Sequence, residues 1–461
     1  MEQFRQQLYQ NFNKRADALI ELVDALCSYP EANSVVELSL AACFRRGHAS
    51  LYAAIADFKW EEEAMARLAA PYVTQPKQRP FWLLGADVTP QPRPFAPTLS
   101  DRGMVYQPNL VKGNKPVTIG HQYSTVGLFP EAEAGVSDSW IVPLSVERVA
   151  TSDDKEMVGS RQIGRLLEDE KLPWHQELVV EVVDSSYSKK PYLCANRQHD
   201  NLVTICRVAS NRTFYQKAKL VESPAPVGHP TWYGDVFRLP DPDTWHKPDE
   251  KASTAFVSRR GKEYNVETEV WRDMLMTGKQ KPAVLPMQEH PFTLFRIVLV
   301  DPETGQPAFK RAMWLIVMGK RRDEVTLLAV YHAYRQRYNL EHFFRFGKQK
   351  FLLDNFQTPE EGHEEAWWQL AHLAYLQLWI ARHLVACLPR PWERNLPAMK
   401  ARLISPTLAQ RGFGRVIHEF GTPAQSPKPR GNSSGWPLGK KRTRRTRHDV
   451  VVKGQKKENP P

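Results

Sequence analysis

Apolar positions change their period along the chain. Up to about residue 75 they recur at helical intervals: Leu19, Ile20, Leu22, Val23, Leu26 and Cys27 form one face. Val35, Val36, Leu38, Leu40 and Phe44 repeat the pattern, so residues 1–75 read as an all-helical domain. Between the helices lies Phe44-Arg45-Arg46-Gly47-His48-Ala49-Ser50, where Gly47 can close one helix and His48 or Ser50 can open the next. A short turn flanked by arginines suits a helix-turn-helix that brings Arg45 and Arg46 to DNA. It suits a plain helical hairpin equally well.

After the linker at residues 74–80 the period shortens. Phe81 to Ala86 is a continuous apolar run ending at Asp87, as expected of a strand buried on both faces. Strands follow around Val117–Leu128 and Trp140–Val146, the first preceded by a Pro-rich loop punctuated by Gly113-Asn114, and a helix fits Lys155–Leu172. Glu177 to Val183 is a second valine-rich strand ending in Asp184, with Ser185-Ser186 placed to cap a helix from about Tyr187. A fifth strand fits Asn201–Val208. An Asp at the carboxyl end of a central strand sits where open α/β sheets bind ligands. Each alone also reads as a turn or cap residue, because Asp87 precedes Thr89-Pro90 and Asp184 precedes two serines.

From residue 209 to 320 short strand-like runs alternate with aromatics and prolines, and a hairpin is expected between Phe292–Val300 and Phe309–Met318. Trp232, Trp245 and Trp271 in this region are candidates for stacking on an extruded base, against the commoner role of tryptophan as core. Beyond it, Tyr334 to Lys348 reads YRQRYNLEHFFRFGK. On one helix, Tyr334, Arg337, Glu341, Arg345 and Lys348 fall within roughly 80° of arc. The plainest reading is an exposed face with an Arg337–Glu341 pair.

The intervals Tyr334-x2-Arg337-x3-Glu341-x6-Lys348 add a second reading. This spacing resembles the Y-(2)-R-(3)-E-(6)-K signature of the DDE transposases of the IS4 superfamily. Within it, the Ala-Asp-Val-Thr setting of Asp87 and the Val-Asp-Ser-Ser setting of Asp184 look most like the IS701 group. The resemblance implies an α/β fold with a ribonuclease-H-like mixed-sheet core (residues 76–208 and 321–413). That core would be interrupted by a β-rich insertion domain (209–320), preceded by the helical DNA-binding domain and followed by a basic disordered tail (414–461). It implies that Asp87, Asp184 and Glu341 hold Mg²⁺, with Mn²⁺ able to substitute. Arg337, Lys348, Arg345 and Tyr334 would contact DNA. It implies a dimer on paired ends that cuts terminal inverted repeats and joins them to target DNA.

Composition changes this picture little. Of 461 residues, 42% are hydrophobic and 25% charged, an ordinary globular balance. The net charge of +12 is concentrated in residues 426–461, which carry +9 and leave the body with +3. The run Lys440-Lys441-Arg442-Thr443-Arg444-Arg445-Thr446-Arg447 is expected to bind phosphates without sequence preference. The five cysteines show no ligand spacing, which fits a reducing compartment and no structural zinc. No phosphate-cradling GxxxxGK[ST] occurs, so no nucleotide cofactor is expected. His372, Gln377, Arg382 and His383 interrupt the most apolar helix, so a buried helix is expected there and not a membrane span. A bacterial cytoplasmic, nucleoid-associated protein is the expectation.

Overall fold

A computed structural model describes residues 1–107, 115–218, 232–258, 261–279, 284–387, 403–429, 435, 437–441 and 443–453. Gly113-Asn114, Arg442 and residues 454–461 lie outside these. Helices α1 (Glu2–Asn11), α2 (Ala16–Ser28), α3 (His48–Asp57) and α4 (Ala64–Ala69) open the chain. Strands β1 (Trp82–Pro92), β2 (Gly103–Tyr106), β3 (Val117–Leu128) and β4 (Val142–Val149) follow, then α5 (Lys155–Glu168), β5 (Val179–Val183), α6 (Lys190–Asn196) and β6 (Leu202–Arg207). Next come β7 (Thr213–Lys217), β8 (Tyr233–Arg238), β9 (Glu250–Val257), β10 (Glu263–Met274), β11 (Phe292–Val300) and β12 (Met313–Met318). The helices α7 (Leu327–Gln336), α8 (Tyr338–Lys350), α9 (Glu361–Cys387) and α10 (Pro406–Phe420) complete the described elements. No helix among them is long and apolar enough to cross a membrane.

The chain forms two compact units. One comprises residues 1–74, 88–158 and 339–461, the other residues 75–87 and 159–338. The mixed sheet and the surrounding helices are consistent with a ribonuclease-H-like DDE fold.

In the first unit α2 is the hub. It is apolar around most of its circumference and packs against α9 and α10, as a helix must when no face is left to solvent. The expected second helix at Val35–Leu40 is only a 3-10 turn, with Leu40 71% exposed. A run with three β-branched or short polar residues has little intrinsic preference for a longer helix. Some charges enter this core as pairs. Arg5 meets Asp24 at 2.5 Å, and Gln377 Nε2 donates to the same carboxylate at 2.9 Å.

A larger network surrounds Glu364 in the first turn of α9. Arg93 Nε donates to it at 2.7 Å, His121 Nδ1 lies at 2.8 Å and the Tyr123 hydroxyl donates at 2.9 Å. Burial opposes ionisation of Glu364, but His121 and Arg93 outweigh it and hold its pKa below the ordinary value. Tyr123 also stacks on Trp368, with centroids 4.1 Å apart.

The C-terminal segment corrects an expectation. Residues 414–461 are not uniformly disordered: α10 runs to Phe420, capped at its start by Ser405. Further on, His448 N–H donates to Pro97 O at 2.8 Å and Val451 N–H to Arg102 O at 2.8 Å, along the edge of β2. Backbone pairing and the Arg445–Glu360 ion pair hold this stretch, so charge composition alone was a poor guide to it.

In the second unit the sheet order is β1-β5-β6-β12-β11-β10-β9. β1, β5 and β6 are parallel, and every later pairing is antiparallel. The hairpin expected around Asp301–Gly305 is β11–β12, with Thr293 opposite Val317. β12 pairs with β6, so the strands beyond residue 209 extend the sheet that carries Asp184. β7 and β8 form a separate ribbon. Phe237, Trp245, Trp271 and Trp314 cluster with centroids 5.1–6.3 Å apart.

Glu364→Gln removes the charge that balances fully buried Arg93. We expect it to cost about 3 kcal/mol, read as a lower midpoint in denaturant unfolding. A midpoint equal to wild type would mean that the backbone carbonyls around Arg93 already suffice.

Candidate active site

Asp87 and Asp184 are brought to one level by strand register. β1 and β5 are parallel neighbours with Gly85 opposite Val182, and Asp87 and Asp184 each follow two residues beyond that pair. Asp184 directly follows β5, whose five residues are all buried. Asp87 differs from expectation, because β1 does not end there. The strand continues to Pro92, and its second half, in the other unit, runs beside β3, where Arg93 N–H donates to Ile119 O at 2.7 Å. What ends near Asp87 is the pairing with β5. The cap reading of Asp184 also holds: its Oδ1 accepts from Ser186 N–H at 2.7 Å. It caps a 3-10 turn at Ser185–Tyr187, and the helix expected from Tyr187 begins at Lys190.

The same row extends to β6. Val183 lies opposite Cys206, which sets Arg207 level with Asp184. Arg207 was missed in the sequence because it reads as one more position of the strand Asn201–Val208. The available signal was that it ends an apolar run as Asp184 does.

The stretch Tyr334–Lys348 is not one helix. α7 ends at Gln336, Arg337 is a turn residue with φ −50° and ψ −34°, and α8 begins at Tyr338. The backbone stays helical in sense while the hydrogen-bond ladder breaks, so the single-face argument applies only piecewise. Arg337 Nη1 lies 3.5 Å from Asp87 Oδ2. Tyr334 is buried, not exposed toward solvent. Burial pushes its hydroxyl up to about 12, with Arg337 and Arg207 pulling the other way.

Glu341, in the first turn of α8, and the exposed Arg345 belong to the first unit. So does Lys348, whose Nζ donates to Pro90 O at 2.9 Å, three residues beyond Asp87 on β1. Burial lowers the Lys348 pKa.

Several expected DNA contacts are used within the fold. Arg45 Nε meets Glu21 at 2.7 Å and its Nη2 donates to Ala424 O at 2.9 Å. Arg46 meets Glu21 at 2.5 Å and donates to Gln425 O at 2.7 Å. These arginines fasten the segment after α10, because a buried carboxylate draws the nearest guanidinium groups. Gly47 is the N-cap of α3. Trp271 is 1% exposed, with Nε1 donating to His246 O at 2.9 Å, so its ring is core and not a stacking platform. Trp245 is half-buried, stacked on Phe237 and covered by the Arg296 guanidinium at 5.4 Å. Trp232 is 42% exposed.

Asp87 and Asp184 are hard oxygen donors, the type Mg²⁺ takes. Among the described residues no group of three or more His, Cys, Asp or Glu side chains is arranged to hold a metal ion. The fit to a divalent cation rests on the oxygen donor type of the two aspartates alone.

The chain belongs to the DDE superfamily endonucleases. The family's profile matches residues 7–278, more than half of the chain. No curated protein matches it. The matched span contains both aspartates and ends before Tyr334. Membership makes the protein a nuclease-type enzyme with DNA as its substrate.

One buried group on β5 is accessible to test. Glu181 is fully buried; burial raises its pKa to about 7, against hydrogen bonds from Tyr192, Thr204 and Asn196 that favour the carboxylate. A carboxyl whose folded pKa lies above its unfolded value costs nothing while protonated in both states. The cost grows as pH rises from about 4.5 to about 7 and stays complete above that. Glu181→Gln should therefore flatten stability against pH in that window, by roughly 3 kcal/mol relative to wild type. Parallel Tm–pH curves for the two proteins would refute this.

Proposed function

We propose that the protein is a DNA transposase of an insertion sequence, of the IS701-like group in the IS4 superfamily. It cuts the ends of its element and transfers them to target DNA. What supports this reading is the parallel register of β1 and β5, in which Gly85 lies opposite Val182 and Asp87 and Asp184 each follow two residues later. The Tyr334–Arg337–Glu341–Lys348 spacing supports it from the sequence.

In this reading Asp87, Asp184 and Glu341 hold Mg²⁺, or Mn²⁺ in its place. Bound there, the cations would lower the pKa of the attacking oxygen and stabilise the leaving one. The chain's own groups hold the DNA around them. Arg337, beside Asp87, and Lys348 offset negative charge on the non-bridging phosphate oxygens. Tyr334 hydrogen-bonds or packs against the DNA backbone in this reading.

Two displacements at phosphorus follow. In the first, the oxygen of water bonds to phosphorus and the bond to the 3′ oxygen breaks, leaving a 3′-hydroxyl and a 5′-phosphate. In the second, that 3′-hydroxyl attacks a phosphodiester of the target and releases the target's own 3′ oxygen, which takes a proton. Two copies acting on paired ends of the element, in the bacterial cytoplasm and nucleoid, complete the proposal.

The test is cleavage and joining of labelled element ends with Mg²⁺ or with EDTA. Asp184→Asn and Glu341→Gln should each lower both reactions by about 10³-fold or more, and EDTA should abolish them. Tight end binding by wild type with no cleavage would favour a transposase-derived DNA-binding protein that no longer cuts. Cleavage without joining of pre-cut ends would favour a ribonuclease-H-like nuclease. Activity retained in both variants would mean that the active site lies elsewhere.

A further inference from the structure

The second unit contains a cavity of about 1070 Å³, most of whose lining has no part in the roles above. Its walls carry six cations, Arg207, Lys262, Lys310, Arg311, Arg335 and Arg337, and no carboxylate lines it among the described residues. Aromatic rings alternate with these charges. Phe256 and Tyr264 stack with centroids 6.4 Å apart, and Tyr331 meets Phe256 edge-on at 6.0 Å. The Arg335 guanidinium lies 3.8 Å over the Phe256 ring. Phe309, on the wall formed by the β11–β12 connection, is 63% exposed.

The two ends of the cavity differ in what they adjoin. Arg207 is level with Asp184 on the neighbouring parallel strand, and Arg337 touches Asp87. Lys310 and Arg311 lie on the β11–β12 connection instead. The cavity wall therefore runs from Arg337, the partner of Asp87, to the exposed β11–β12 connection.

We propose that this cavity is the seat of an unpaired DNA segment running from the aspartate pair. Its phosphates lie on the arginines and lysines, and its bases stack on Tyr264 and on the exposed Phe309. Rings can stack only on base faces, which a duplex keeps inside its own stack and an unpaired strand exposes. A simple anion site would need the cations and not the rings. An apolar ligand site would need the rings and not six cations. The proposal rests on the DDE reading for what the segment is attached to, but its binding chemistry is independent of cleavage.

The test is fluorescence anisotropy of the full chain, in EDTA, with a short labelled oligothymidylate and with a labelled hairpin duplex, across a salt series. The basic tail binds both probes, so the variants carry the discrimination. Phe309→Ala should weaken single-strand binding about tenfold at an unchanged salt slope, and leave duplex binding within about twofold of wild type. Lys310→Ala/Arg311→Ala should reduce the slope of log K against log salt by about 1.4 for the single strand. All three residues are exposed, so the variants should keep the wild-type Tm, which is measured alongside. Single-strand affinities equal to wild type in the Phe309 and Lys310/Arg311 variants would overturn the proposal. So would an equal loss on both probes. Variant-sensitive single-strand binding by a protein that cuts no DNA would sustain the cavity and sink the cleavage reading.

Discussion

The backbone pairing of β1 with β5 holds two like charges at one level. Parallel ladders have a fixed register once a few apolar pairs are buried, and here Leu83 opposite Val180 and Gly85 opposite Val182 set it. Everything beyond those pairs inherits the alignment. Asp87 comes to stand beside Asp184, and Arg207 on β6 completes the row. A slip of one residue in β1 would turn the Asp87 side chain to the opposite face and separate the pair. The valine-rich interior of β5 penalises any such slip.

Two neighbouring carboxylates need a counter-charge, and the fold meets that need asymmetrically. Arg337 lies against Asp87, while Asp184 has a backbone N–H of the turn that follows it. Arg207 and Arg337 both belong to the wall of the basic aromatic cavity. Positive charge therefore gathers on one side of the aspartate pair. In a partly dry site such charges act more strongly on a phosphodiester than the same groups would in water.

In the first unit several buried charges are held in networks. Asp24 has Arg5 and Gln377, and Glu364 has Arg93, His121 and Tyr123. Glu21 binds both Arg45 and Arg46, and through them the backbone of Ala424 and Gln425. These networks join segments hundreds of residues apart in sequence. Arginines that look like a DNA-binding turn serve here as fasteners, because a fully buried carboxylate demands partners more strongly than solvent offers them.

The sequence by itself determined the element types that local periodicity encodes: the N-terminal helices, the strands that carry Asp87 and lead to Asp184, the β11–β12 hairpin and the long helix with Trp367 and Trp368. It also marked Asp87 and Asp184 as candidates, since an apolar run that stops at a carboxylate is visible without any partner. Tertiary structure alone decided the rest. The break at Arg337, the burial of Tyr334 and Trp271, the engagement of Arg45 and Arg46 and the placement of residues 448–451 all depend on groups distant in the chain. The level of Arg207 and the cavity beyond it do so too. Periodicity reports which face of an element is apolar, whereas register and ion pairing are settled only when a second element supplies the other half of each contact.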